Sequence, residues 1–65
     1  MEIKEIFNEE NRDKQYKFLN HEDEHIYTLK LYSCGKFHLV NEENKTIDQM
    51  NHLQDILNYE FIEVN

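Results

Sequence analysis

The residues best suited to chemistry are His21-Glu22-Asp23-Glu24-His25, a literal match to the string H-E-x-x-H. Zinc proteases carry that string on a helix, so that both imidazoles face one metal and the glutamate acts as a base. They also need a third ligand and a cleft. Here the string lies between two strand-like stretches, and it holds no apolar residue that would seat a helix against a core. It reads as a solvated acidic loop. No metal ligand is assigned to it.

Cys34 and His38 are the other pair with reactive potential. A thiolate nucleophile needs an imidazole within reach and a third group to orient that imidazole. Cys34 falls in the tip of a tight turn and no carboxylate is placed to orient His38, so Cys34 reads as a turn residue. His52 falls on the polar side of a helical stripe and reads as solvated. With one glycine in the chain, no glycine-rich loop can cradle a phosphate. The sequence therefore points to no enzyme, no catalytic residue and no cofactor.

The elements that must position these groups are organised around residues 27–41. Tyr27, Leu29 and Leu31 alternate with Thr28, Lys30 and Tyr32, and Phe37 and Leu39 alternate with His38 and Val40. A slip of one residue in register moves every side chain to the other face. A two-residue loop would pair Leu31 with His38 and mix the faces. A three-residue loop, Ser33-Cys34-Gly35, pairs Leu31 with Phe37 and Leu29 with Leu39, which makes one face wholly apolar. It also puts Gly35 at the position that needs φ > 0.

Before the hairpin, Ile3, Ile6 and Phe7 at helical spacing predict one or two helical turns. Residues 8–14 are polar and break that pattern. Tyr16 and Phe18 predict a short strand over 15–19, and residues 20–24 an acidic loop. After the hairpin comes a polar connection over 41–45. Thr46-Ile47-Asp48-Gln49 has the form of a capping box. Ile47, Met50, Leu53, Ile56 and Leu57 then predict one amphipathic helix, with Asp48 favourable at its positive end and Asn58 as a left-handed stop. Residues 59–64 predict a last strand. The fold class is α+β: a small antiparallel sheet of three to four strands with a central hairpin, a short N-terminal helix and one amphipathic helix before the last strand.

At 65 residues the chain makes a single small domain whose core is only just sufficient, so dimerisation or a partner would supply missing burial. Fourteen acids against seven Lys and Arg give a formal net charge of −7. That balance opposes direct binding to nucleic acid or to anionic lipid and favours a basic protein partner. The sequence shows no signal peptide and no membrane-spanning run. With its single cysteine it points to the cytoplasm. The candidate partner-binding residues are Glu9, Glu10, Glu22, Asp23, Glu24, Glu42 and Glu43, a surface suited to a basic groove and supplemented by exposed tyrosines.

Two stretches carry a resemblance: Glu5-Ile6-Phe7-Asn8 near the start, and Ile56-Leu57-Asn58-Tyr59-Glu60-Phe61-Ile62-Glu63-Val64 at the end. Placed around a small central hairpin, they resemble short uncharacterised proteins encoded by phages and prophages of low-GC Gram-positive bacteria. The shared residues are packing positions at the two ends of the chain. Those proteins usually carry a glycine-containing turn after the first helix, where this chain has residues 9–14. The resemblance implies a binding module that inhibits or redirects a bacterial host or defence protein, such as an anti-CRISPR or another nuclease inhibitor. Two other readings stand beside it: a DNA mimic whose carboxylates replace phosphates, and a phage structural or assembly protein with no inhibitory role.

Overall fold

Strand alternation builds the sheet, and a layer of short helices covers one of its faces. The computed structural model describes residues 1–19 and 21–64. β1 (Gln15–Phe18), β2 (Tyr27–Leu31), β3 (Phe37–Val40) and β4 (Phe61–Val64) lie in the order β3-β2-β1-β4, with antiparallel neighbours throughout. Tyr16, Phe18, Tyr27, Leu29, Leu39 and Phe61 all point to one face and are buried there. Each such side chain contributes about 1.5–3 kcal/mol, which is how so short a chain makes a core.

The hairpin has the register that face-matching requires: Leu29 opposes Leu39, and Leu31 opposes Phe37. The Tyr32 N–H donates to the Lys36 carbonyl at 3.0 Å, and the Gly35 N–H donates to the Tyr32 carbonyl at 2.9 Å. Residues 33–35 thus form the loop, with Gly35 at φ 83°.

α1 (Ile3–Ile6) is a single turn that buries Ile3 and Ile6. A 3-10 turn, Glu9–Asn11, follows it, capped by the Asn8 side chain. Asp13 takes φ 68° to bring the chain into β1, and its N–H donates to the Leu29 carbonyl at 2.9 Å. Phe7 is 42% exposed.

The single amphipathic helix expected from residue 47 onward is two short ones, α2 (Ile47–Met50) and α3 (Leu53–Ile56). Asn51 between them is extended, at φ −143° and ψ 154°. The reason lies in the core. Ile47 and Ile56 are nine residues apart, about two and a half turns of helix, so a straight helix would point them in opposite directions. The break lets both face the sheet, at 4% and 0% exposure. Asn51 is suited to the breakpoint, because its side chain can replace helical hydrogen bonds with others. It donates to Asp23 Oδ2 at 3.1 Å. Met50, Leu53 and Leu57, expected in the buried stripe, are exposed instead.

The expected stop at Asn58 is not left-handed. Among the described residues the only non-glycine positive φ values belong to Asp13 and Asn44. The last strand starts at Phe61 rather than Tyr59, and Tyr59 packs as a half-buried ring against Phe18. Asn20, the first residue of the expected acidic loop, lies outside the described residues.

Candidate protein-binding site

The helix break opens a groove of about 430 Å³ between the helical layer and the β3 edge. Ile3, Phe7, Phe37, Leu39, Ile47, Leu53 and Ile56 form its apolar walls, and His38, Asp48, Asn51 and His52 its polar rim. Phe7 and Phe37 stack with centroids 6.5 Å apart and planes 19° from parallel. Leu53 lines the same groove and is 62% exposed. An apolar cleft with a few polar groups at its rim suits an inserted side chain.

The acids divide between the two ends of the sheet. The β1–β2 loop and the β3–α2 turn meet at one end, where Glu24 and Glu42 line one pocket; Glu22 and Glu43 are exposed on the same two segments. The His25 ring joins the two segments by bonding to Glu42. Glu9 and Glu10 lie at the other end, in the 3-10 turn that precedes β1.

Asp23 differs from the other acids of its loop. Its carboxylate is half-buried and accepts from the Tyr27 hydroxyl at 2.7 Å, the His25 N–H at 2.9 Å and Asn51 Nδ2 at 3.1 Å. It therefore braces the loop, the start of β2 and the helix break, with both carboxylate oxygens engaged within the chain. Desolvation alone would raise its pKa. The bonds from Tyr27, His25 and Asn51 outweigh that and hold it below the usual carboxylate range. Tyr27 is pushed up, first by burial and then by its bond to Asp23.

His25 is raised by its bond to Glu42, against a smaller opposing effect of desolvation. Glu42 is lowered by its own backbone amide and by His25.

The H-E-x-x-H segment contains no helix. Its loop is less solvated than expected: Glu22 and Glu24 are exposed, while His21, Asp23 and His25 are half-buried. The His21 ring packs 4.8 Å from Phe18 and 4.4 Å from Tyr59, centroid to centroid, and its Nδ1 accepts from the Asp23 N–H. Among the described residues no three His, Cys, Asp or Glu side chains gather closely enough to hold a metal. Cys34 is exposed in the hairpin loop. No described helix is long and apolar enough to cross a membrane.

The sequence reading missed the groove, because it placed Leu53 in the core. The available signal was Asn51, a poor helix former in the middle of the stripe. No protein-family model matches this chain, and neither the curated proteins nor the solved structures include a match.

Proposed function

We propose that this chain is a protein-binding module of phage type that inhibits or redirects a bacterial host or defence protein in the host cytoplasm. An anti-CRISPR or another nuclease inhibitor is the kind of activity meant. The observation that carries the reading is the groove at the helix break. Phe7 and Leu53 are large apolar side chains held at its mouth with 42% and 62% exposure. In a chain with a net charge of −7, such a groove suits an apolar anchor carried on a basic surface.

The exposed carboxylates Glu22, Glu24, Glu42 and Glu43, carried on two segments joined by the His25–Glu42 bond, favour a second reading. There they take the place of phosphates on a nucleic-acid enzyme. Binding through the groove weakens little with added salt, whereas phosphate mimicry weakens steeply.

The test is capture from bacterial lysate with wild-type protein and with Leu53→Asp, whose exposed position leaves the fold intact. Recovery of a specific partner by wild type should fall at least about tenfold in the variant. Equal recovery by both would end the groove reading. Loss with Glu22→Lys/Glu43→Lys instead, together with a steep salt dependence, would favour mimicry.

A further inference from the structure

Opposite the helical layer no second layer covers the sheet, and of its strand positions there only Val40, which pairs with Thr28, is buried, at 7% exposure. Its strand positions there include Lys17, Thr28, Lys30, His38, Ile62 and Val64, and none is a carboxylate. In a chain with fourteen acids this is a marked segregation of charge. Glu24 and Glu42 close the face at the end where β2 begins and β3 finishes. Lys30, paired with Asp13 at 3.6 Å, and, by strand alternation, Lys36 mark the hairpin end. Ile26 and Ile62 lie on the face with 39% and 44% exposure.

We propose that this face joins a second copy of the chain, sheet against sheet, about a two-fold axis running across the strands. That axis lays each strand over its own counterpart reversed. Glu24 and Glu42 of one copy then lie over the lysine end of the other, and Lys17 falls over the end that carries Asp13. An axis running along the strands would instead stack the acidic ends on each other, and like charges in contact oppose association. Thr28 sits midway between the two ends and meets its own counterpart at the axis.

Four strands of four or five residues, about 4.8 Å apart and rising about 3.3 Å per residue, offer roughly 270 Å² per copy. That is well under the roughly 800 Å² per partner of a stable pair, so the dimer is weak and reversible. Long-range repulsion between two chains of −7 is screened beyond about 8 Å at physiological salt. The groove lies on the other side of the sheet and shares with this face only His38, at the β3 edge, so this inference does not depend on the proposed function.

Sedimentation equilibrium at physiological ionic strength, from about 10 μM to about 1 mM protein, tests the proposal over the range a small interface requires. The weight-average mass should rise toward twice that of the monomer. A residue on a two-fold axis meets itself, so Thr28→Arg and Thr28→Glu should both weaken the dimer at least about tenfold. Glu24→Lys and Lys36→Glu should each weaken it, and the two combined should restore it. Circular dichroism confirms that each variant is folded, and the exposed Glu24 and Lys36 sites keep the test open should Thr28 variants misfold. A monomer at every concentration overturns the proposal. So does a dimer insensitive to these substitutions, because it must use another surface.

Discussion

Asp23→Ala should destabilise the fold far more than removal of any neighbouring acid. Three donors lose their acceptor together: the Tyr27 hydroxyl at 2.7 Å, the His25 N–H at 2.9 Å and Asn51 Nδ2 at 3.1 Å. The His25 amide and the Asn51 side chain, half-buried, can turn to water. Tyr27 cannot, because it is 0% exposed. A buried donor left without a partner costs about 1–3 kcal/mol, and a bond to a charged acceptor contributes about 1.5–3 kcal/mol. Asp23 is only partly buried, so solvent screening holds the total to about 2–3 kcal/mol. A domain of this size shifts by about 4–8 °C per kcal/mol, which gives a loss of about 10–20 °C in Tm.

Thermal melting followed by circular dichroism reads this directly. Tyr27→Phe should cost about 1 kcal/mol, since it removes the donor along with the need for an acceptor. The double variant should be less damaged than the sum of the singles, with a coupling of at least about 1 kcal/mol. Glu22→Ala serves as the control and should melt with wild type. An Asp23→Ala protein melting within about 3 °C of wild type, or strictly additive single effects, would refute the brace.

Gly35→Ala should lower stability by about 1–2 kcal/mol through backbone strain alone, because φ is 83° and nothing lies within 4 Å of an added Cβ. Cys34→Ser should leave the melt unchanged, and equal melting of the two variants would show that the loop conformation is wrong. The His25–Glu42 bond should give stability a two-sided pH dependence. His25 is raised above 6.5, so its contribution is full below that value and is lost as pH rises through the raised one. Glu42 is lowered below 4.5, so its contribution is full above that value and is lost as pH falls through the lowered one. His25→Ala should flatten the upper limb in melts taken from pH 5 to pH 9, the span about the ordinary imidazole pKa; an unchanged limb would assign it to another group.

The sequence by itself determined what depends on neighbours along the chain. Alternation fixed which face of β1 and β2 is buried, and the single glycine with the Leu29–Leu39 match fixed the hairpin register. Ile3 and Ile6, three residues apart, were enough to place the first helical turn. The tertiary structure decided what depends on distant groups. A stripe of Ile47, Met50, Leu53, Ile56 and Leu57 favours a straight helix locally. The core needs Ile47 and Ile56 on one side, and Asp23, twenty-eight residues from Asn51, offers Asn51 a better bond than the helix does. Only folding could therefore expose Leu53, open the groove and turn Asp23 inward from the acids around it. Only folding could also bring Glu24 and Glu42 to one end of the sheet face opposite the helices, because two loops far apart in sequence had first to meet.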